Sequence, residues 1–276
     1  MNHTVQRLID LSLTEDIGPG DITTDSLIDP DQNGKGTVVA KEPIVVAGID
    51  VAKRVFETLD NNIFFNPLSR DGDILLDGEL LLEVEGAVAG LLRAERTALN
   101  FLQRLCGIAS HVNTYVEALN GYQVRLVDTR KTTPGWRQLE KYAVRIGGAH
   151  NHRMGLYDGM LIKTNHIALC GGITPAVEKA RQRLPHLSKI EVEVSTMNEV
   201  VEAVSCGVDI ILLDKMNIPE IAQAVSYING HALVEVSGLF AIEDLKPVAE
   251  TGVDIISVGA LIHQAQAVDL SMRIHT

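Results

Sequence analysis

Aromatic side chains are scarce in this chain of 276 residues, at 4% of the total with a single tryptophan. Proteins that bind single-stranded nucleic acid stack bases on such rings, so the scarcity disfavours that class. A formal net charge of −12 points the same way, because it repels phosphate backbones and anionic membrane surfaces. We therefore expect no nucleic-acid partner, and any anionic ligand must be attracted by a local group of cations.

Cysteines are few and widely separated. Cys106, Cys170 and Cys206 form neither a disulfide framework nor a zinc-ligand spacing, which indicates a reducing compartment. The amino terminus lacks the basic region and apolar stretch of a signal peptide. No apolar run approaches the roughly 18 residues that a membrane-spanning helix needs. We expect a cytoplasmic protein with no membrane segment.

Several common catalytic motifs are missing. The hydrolase motif G-x-S-x-G, the Walker lysine motif and the dinucleotide motif G-x-G-x-x-G do not occur. His150 and His152 form an HNH sequence, but no third or fourth ligand follows at a zinc spacing. The loop LVDTRKTT has one acid, Asp128, where the commonest phosphoribosyltransferase loop has two adjacent ones. The function must therefore lie in another arrangement of residues.

From residue 122 onwards, six apolar segments of β type each precede a helical pattern. The segments are VRLVDT, GMLIK, IEVEVS, DIILLD, LVEVS and DIISVG. Later segments end about 22 residues apart, the length of one βα unit, so the pattern predicts a parallel sheet covered by helices. Six strands, or seven, are fewer than the eight of a complete TIM barrel. The repeat alone leaves an incomplete barrel and an open doubly wound sheet as alternatives.

The position of acidic residues favours the barrel. Alternation along the strands places Glu191 on the same face as Glu193, and Glu235 on the same face as Ser237. A sheet covered by helices on both sides would bury these carboxylates among apolar groups, at a cost in free energy. The interior of a barrel with a polar mouth accommodates them better.

The first 110 residues lack the regular βα repeat and mix predicted helices and strands. The pattern predicts helices at about residues 5–13 and 49–59 and strands at residues 36–40, 44–46 and 80–89. The sequence LLEVEGAVAGLL resembles a hairpin that turns at Gly86. A long helix is then predicted from about residue 93 to residue 119. The change near residue 110 from this mixed pattern to the βα repeat indicates a second domain.

Cations are concentrated between residues 128 and 166, where seven basic and three acidic residues give a local charge of +4. Such a group suits a small polyanion, because guanidinium groups bind carboxylate or phosphate through paired hydrogen bonds. Helical spacing predicts a solvated face for three of the cations, Arg137, Lys141 and Arg145. Those at strand ends or in glycine-rich loops are the better ligand candidates: Arg130, Lys131, Arg153 and Lys163.

The last two predicted strands each end in a small residue and a glycine. Ser237 with Gly238, and Gly259, can offer backbone N–H groups to a phosphate, as loops after the last strands of barrels do. His263 follows, either as a further donor or as a surface residue. Glu193 and Asp214 end two consecutive strands and suit a hydrated Mg²⁺. Ion pairing of these two acids with Lys131 and Lys163 is the alternative, and both arrangements can hold together.

Six motifs occur in the order and spacing of one known family: EDIGPGDITT, AERTALNFLQRLCGIAS, DTRKTTPG, NHRMGLYDGMLIK, EVEV and ILLDKM. Over residues 15–263 the chain resembles the quinolinate phosphoribosyltransferases, also called carboxylating nicotinate-nucleotide pyrophosphorylases. The resemblance implies phosphoribosyl transfer from phosphoribosyl pyrophosphate to quinolinate with Mg²⁺, giving nicotinate mononucleotide, pyrophosphate and CO₂ in de novo NAD biosynthesis. It implies an α/β sandwich domain at residues 1–110, completed by residues 264–276, and an incomplete TIM-like α/β barrel at residues 111–263 that carries the active site.

The resemblance also implies roles for individual residues. Those expected around quinolinate are Arg130, His152, Arg153 and Lys163, with Arg96 contributed across the interface of a homodimer. Those expected around phosphoribosyl pyrophosphate are Lys131, Glu193, Asp214, Ser237, Gly238, Gly259 and His263. Glu193 and Asp214 would hold Mg²⁺, and the catalytic group would be Lys131, Lys163, Glu193 and Asp214. Thr164 stands where many members have an acid, a difference that bears on how Lys163 is oriented.

Three other functions remain as alternatives. A homologue of the same fold can act on another base or pyridine acid, as do relatives associated with molybdenum uptake. An aldolase can form a Schiff base through a lysine such as Lys163 at the end of a barrel strand. A non-catalytic module would bind phosphoribosyl pyrophosphate without turnover. Conversion of quinolinate, but not of nicotinate, to nicotinate mononucleotide distinguishes the favoured function from all three.

Overall fold

The computed structural model describes residues 3–238 and 241–275. Its helices are α1 (His3–Ile17), α2 (Ile22–Leu27), α3 (Ile49–Leu59), α4 (Val88–Ala118), α5 (Arg137–Ile146), α6 (Thr164–Cys170), α7 (Ile173–Arg181), α8 (Met197–Ser205), α9 (Ile218–Ile228), α10 (Ile242–Ala249) and α11 (Ala260–His263). Its strands are β1 (Asn33–Ala40), β2 (Ile44–Val45), β3 (Phe64–Pro67), β4 (Ile74–Leu75), β5 (Leu80–Ala87), β6 (Arg125–Val127), β7 (Met160–Ile162), β8 (Ile190–Val194), β9 (Ile210–Asp214), β10 (Leu233–Gly238), β11 (Ile255–Val258) and β12 (Leu270–His275).

The chain divides into two compact units. The first comprises Met1–Asn113, Thr133–Gly148 and Gln264–Thr276, and the second comprises Thr114–Thr132 and Ala149–His263. Helix α5 therefore belongs to the first unit, although the segments on either side of it belong to the second. None of the described helices combines the length and the hydrophobicity that crossing a bilayer requires.

The first unit is built on an antiparallel sheet with the strand order β12-β1-β5-β3. The carboxy-terminal strand β12 lies at its edge, where Val38 of β1 pairs with Met272. On the other side of β1, Val38 pairs with Leu82 of β5. Helix α3 occupies the residues expected from the periodicity, because its apolar positions fall on one buried face that includes Val55 and Phe56. The predicted N-terminal α/β domain is thus present.

The hairpin predicted at Gly86 is wrong. Strand β5 continues through Gly86 to Ala87, and helix α4 begins at the next residue, Val88. A Cβ atom on Gly86 would lie 3.1 Å from Cγ1 of Ile63. The glycine therefore permits close packing against Ile63 within a continuous strand and does not make a turn.

The second unit contains a parallel sheet of six strands in the order β6-β11-β10-β9-β8-β7. From β7 to β11 each strand lies beside the next one in sequence, and β11 pairs with β6. A doubly wound sheet reverses its strand order part of the way along, whereas this order is cyclic with one break between β6 and β7. The prediction of an incomplete α/β barrel is confirmed.

The break in the sheet is partly filled by the segment that follows α5. A single parallel bridge joins Val127 to His150. The His150 N–H donates to the Leu126 carbonyl at 2.9 Å, and the Asp128 N–H donates to the His150 carbonyl at 3.1 Å. This segment runs beside β6 without forming a regular strand, and it leads directly to His152.

The solvated face predicted for α5 is wrong in part. Lys141 is fully buried, as is its neighbour Glu140. The Glu140 carboxylate accepts hydrogen bonds from Arg104 at 2.9 Å and from the backbone and side chain of Thr133 at 2.8 and 2.9 Å. A charged group can be buried when it is paired and hydrogen-bonded in this way, and helical spacing alone does not reveal such long-range partners.

Candidate active site

The candidate residues of the second unit lie mainly where the parallel strands end. Glu193 is near the end of β8, Asp214 ends β9, and Ser237 and Gly238 end β10. Lys163 directly follows β7, and Gly259 directly follows β11. Because all six strands run in the same direction, their carboxyl ends share one rim of the sheet, which is where α/β barrels carry their chemistry.

Lys163 and Glu193 form an ion pair on this rim. The Lys163 Nζ lies 2.5 Å from Glu193 Oε2, and the Thr164 hydroxyl donates to Oε1 at 3.2 Å. Partial burial alone would raise the pKa of Glu193, but the contacts with Lys163 and Thr164 outweigh it and lower the pKa. The carboxylate is therefore ionised at neutral pH. Thr164 donates a hydrogen bond to Glu193 at a position where an acidic side chain would repel it.

Asp214 lies on the strand next to that of Glu193. Among the described residues, no side chain hydrogen-bonds to or pairs with its carboxylate, which leaves it available to a ligand. Ser237 is its register partner on β10. The residue after Asp214, Lys215, has a φ of 58°, a left-handed conformation that is rare outside glycine. Such backbone strain is common beside functional sites. No sequence pattern predicted the left-handed conformation of Lys215.

Lys131, Gly259 and His263 meet at the end of β11. A Cβ atom on Gly259 would lie 2.8 Å from Lys131 Cδ and 3.3 Å from His263 Nε2. The absence of a side chain at Gly259 thus makes room for the lysine. Three residues predicted to contact phosphoribosyl pyrophosphate are brought together here. The loop after Gly238 continues into residues 239–240, which lie outside the described part of the chain.

Asp128 fixes the segment that carries His152. It is fully buried, and its carboxylate accepts hydrogen bonds from Asn151 Nδ2 at 2.6 Å and from the His152 N–H at 2.9 Å. Sequence reasoning noted Asp128 only as a single acid in a loop. Its position immediately after β6 was the available signal, because the site of a barrel begins where its strands end.

Arg153 brings a second guanidinium close to Arg130. Arg153 Nη1 donates to the Gly159 carbonyl at 2.9 Å, which fixes the direction of the side chain. Partial burial and the nearby charge of Arg130 both lower the pKa of Arg153. Two guanidinium groups that repel each other across a partly buried space favour a ligand with two negative charges.

A buried cluster of His152, Glu191 and Glu235 was not expected. His152 Nε2 lies 3.3 Å from Glu191 Oε2 and 3.5 Å from Glu235 Oε1. Burial first, and then the charge of Glu191, raise the pKa of Glu235 to about 7, against opposing effects of His152, Ser257 and Lys163. Alternation had placed both acids on the interior face, but nothing in the sequence joined them to the histidine.

The closest group of ligand-type side chains is not the pair predicted from the sequence. In the part of the chain that is described, the one group of three or more ligand-type side chains within 4.8 Å of one another is His152, Glu191 and Glu235. Glu193 and Asp214, the predicted pair, remain suitable for Mg²⁺ because both offer oxygen ligands at the rim and Asp214 has no side-chain partner among the described residues.

A cavity of about 950 Å³ opens toward the opposite end of the barrel. Its lining includes residues at or just before the starts of strands, such as Arg125, Lys189 and Ile255, together with His152 and Arg153. It contains none of Lys163, Glu193, Asp214 and Ser237. We place the phosphoribosyl transfer at the rim, because the ion pair, the strained backbone and the glycine-rich strand ends all lie there. His152 and Arg153 line this cavity, and Arg153 also lies close to Arg130, which follows strand β6.

Arg96 lies in the first unit, on helix α4, with an exposed side chain. An Arg96 side chain that reaches a site on another subunit has to be exposed. Exposure is also ordinary for a charged residue on the outer face of a helix.

Comparisons with known proteins identify the same group from both halves of the chain. Residues 21–106 match the family model described as "Quinolinate phosphoribosyl transferase, N-terminal domain". Residues 108–273 match the model of the C-terminal domain of the same family. Together these matches cover most of the chain.

Individual relatives are similar over nearly their whole length. A probable nicotinate-nucleotide pyrophosphorylase [carboxylating] of Bacillus subtilis is 42% identical over 99% of this chain and 94% of the relative. The structure of the nicotinate-nucleotide pyrophosphorylase from Francisella tularensis is 41% identical with a TM-score of 0.95, covering 100% of this chain and 97% of that one. The crystal structure of NadC from Streptococcus pyogenes is 40% identical with a TM-score of 0.95, and the match covers 98% of this chain and 96% of that one. The chain belongs to the quinolinate phosphoribosyl transferase family.

Proposed function

We propose that the chain transfers the phosphoribosyl group of phosphoribosyl pyrophosphate to quinolinate, releasing pyrophosphate and CO₂ and forming nicotinate mononucleotide for NAD biosynthesis. Membership of the family supports the reaction. The observation that carries it is the pair of guanidinium groups, Arg130 and Arg153, beside a rim that holds an ionised carboxylate, lysines and glycine-rich strand ends. A dicarboxylate and a pyrophosphate-bearing sugar are the substrates that such a site complements.

For quinolinate, we assign the carboxylates to Arg130, Arg153 and Lys163, with His152 completing the pocket. Arg96 of a second copy would reach the same substrate in a homodimer, and its exposure supports this. We also retain the cytoplasm as the compartment, since all three cysteines are free thiols.

For phosphoribosyl pyrophosphate, we assign the 5′-phosphate to the backbone at Ser237, Gly238 and Gly259, with His263 beside it. Lys131 and Lys163 would neutralise the departing pyrophosphate, and positive charge that develops on the ribosyl carbon would be stabilised by the carboxylates of Glu193 and Asp214. A Mg²⁺ ion held by Glu193 and Asp214 would supply further neutralisation of the pyrophosphate oxygens.

Decarboxylation requires no general base from the protein. Once the pyridine nitrogen bears the ribosyl group it is positively charged, so the adjacent ring carbon can keep the electron pair of the C–C bond that breaks when CO₂ leaves. A proton from water then takes the place of the lost carboxylate on that carbon. The side chains of Arg130 and Arg153 need only hold the second carboxylate and keep the ring oriented.

The test is a steady-state assay of the purified protein with Mg²⁺ and phosphoribosyl pyrophosphate. We expect nicotinate mononucleotide and CO₂ from quinolinate and no product from nicotinate. Turnover of another pyridine acid in place of quinolinate would overturn the substrate assignment. Trapping of a substrate by borohydride on Lys163 would instead support an aldolase.

A further inference from the structure

Both ring nitrogens of His152 face groups of the protein. Nδ1 accepts a hydrogen bond from the Arg153 N–H at 2.7 Å. A nitrogen that accepts a hydrogen bond presents its lone pair, so the proton of the neutral imidazole is on Nε2. Nε2 is the atom that faces Glu191 Oε2 and Glu235 Oε1. The histidine therefore donates into the barrel interior.

This tautomer excludes a metal site, although the three side chains have a suitable spacing. A histidine that binds a metal through Nε2 donates a proton from Nδ1 to a carboxylate or carbonyl. Here Nδ1 faces an N–H group, so the proton must be on the side that a metal would occupy. The Nε2 side of His152 instead faces two carboxylates, at 3.3 Å from Glu191 Oε2 and 3.5 Å from Glu235 Oε1, and their contact with it is electrostatic.

The two acids are more deeply buried than their own contacts justify. Glu191 is 5% exposed and Glu235 is 2% exposed. Oε1 of each has no hydrogen-bond partner among the described residues. Burying such atoms costs free energy of folding. Retention of these two costly buried acids is explained if they have a role in the candidate active site at the rim.

Their position connects them to that site. Glu191 is two residues before Glu193, and Glu235 is two residues before Ser237, so each points to the same interior from one layer deeper. The backbone of His152 is held by Asp128, and its ring is held by the two acids. The peptide that carries Arg153 is thus held both at the backbone and at the ring of the residue before it.

We propose that Glu191 and Glu235 are positioning residues of the dicarboxylate pocket: acting through the Nε2–H of His152, they hold residues 151–153, and with them the Arg153 guanidinium, ready for the substrate carboxylates. The proposal rests on the proposed function, since it concerns the pocket assigned to quinolinate. Neither acid touches the substrate.

The first test compares Glu235→Ala, Glu235→Gln and the surface control Glu178→Gln. We expect Glu235→Ala to raise the Kd for quinolinate about tenfold, measured by calorimetry, while KM for phosphoribosyl pyrophosphate and kcat change less than about threefold. Glu235→Gln keeps the volume of the side chain and a polar oxygen facing His152, so it should restore most of the affinity. A fall in the folded fraction with unchanged quinolinate affinity of the folded protein would overturn the proposal.

The second test needs no substrate and no destabilised variant. NMR of the ¹⁵N-histidine-labelled protein, with His152 assigned from a His152→Asn sample, should show the tautomer protonated at Nε2. A His152 protonated at Nδ1 would overturn the proposal. If quinolinate is not a substrate at all, the proposed function fails in the assay, whereas the tautomer still reports whether the acids orient His152.

Discussion

Lys163 directly follows β7 and Glu193 lies on the neighbouring strand β8, and their charged groups are in contact: Nζ is 2.5 Å from Oε2. The pair joins a cation assigned to quinolinate and pyrophosphate to an anion assigned to the ribosyl group and Mg²⁺. Binding of either substrate must therefore act on both side chains.

Replacement of Lys163 by alanine should lower kcat by at least about 100-fold, because a cation that meets developing negative charge is lost. Steady-state rates at saturating substrates measure this. Lys189→Ala is the matched control, since Lys189 precedes strand β8 and lines the cavity at the other end of the barrel. A near-normal kcat for Lys163→Ala would remove this lysine from the mechanism.

Removal of Mg²⁺ should abolish turnover. We expect EDTA to stop product formation and added Mg²⁺ to restore it. Glu193→Gln and Asp214→Asn should each raise the Mg²⁺ concentration for half-maximal rate about tenfold, because a neutral amide is a weaker ligand than a carboxylate. Glu178→Gln, on the exposed side of α7, should leave that concentration unchanged. Full activity in EDTA would contradict the metal assignment.

Replacement of Gly259 by alanine should raise KM for phosphoribosyl pyrophosphate about five- to tenfold, with little effect on the Kd for quinolinate. The added methyl group would collide with Lys131 at 2.8 Å and move it away from the strand ends to which we assign the phosphate. Gly90→Ala is the control, because a Cβ there meets its nearest neighbour, Ile63 Cδ1, at an ordinary 3.4 Å. Equal effects on both substrates would indicate general damage to the fold.

The free energy of unfolding should depend on the ionisation of Glu235. Its pKa is raised from 4.5 to about 7 in the folded state, so the folded protein binds a proton more tightly than the unfolded chain does. The contribution is complete below pH 4.5 and is lost as the pH rises through 7, by at most about 3 kcal/mol. Urea unfolding across this range should show the decline, relative to Glu235→Gln, which cannot titrate. Parallel curves for the two proteins would contradict it.

Mixing two inactive variants should test whether Arg96 acts across a dimer. Arg96→Ala and Lys163→Ala should each be inactive alone. After subunit exchange in equal amounts, half of the dimers are mixed, and one of their two sites has both residues. About a quarter of the wild-type activity should return. No recovery, with exchange verified by mass spectrometry, would place Arg96 outside the neighbouring site.

The βα units of the second unit were predictable because each depends on local periodicity. The end positions of Glu193, Asp214 and Ser237 followed from the same pattern. Strand β12 was expected only through the family resemblance, because its partner β1 is more than two hundred residues away. The hairpin at Gly86 failed because a glycine that allows close packing has the same sequence signature as a turn.

The cluster of His152, Glu191 and Glu235 could not be predicted from local sequence patterns. His152 meets Glu191 and Glu235 only after the barrel has curved strands β8 and β10 around a common interior. The burial of Lys141 has a similar cause, since helical spacing reports which residues share a face but not what packs on it. Tertiary contacts between distant segments decide both cases.

The break in the sheet between β6 and β7 bears on how specificity can be altered. Residues 149–159 replace a regular strand there and are tied to β6 by one bridge and by Asp128. Their length and sequence can be exchanged without removing a ladder of hydrogen bonds from the barrel. Exchange of this segment is therefore a route to other pyridine-acid substrates that leaves untouched strands β10 and β11, to which we assign the 5′-phosphate.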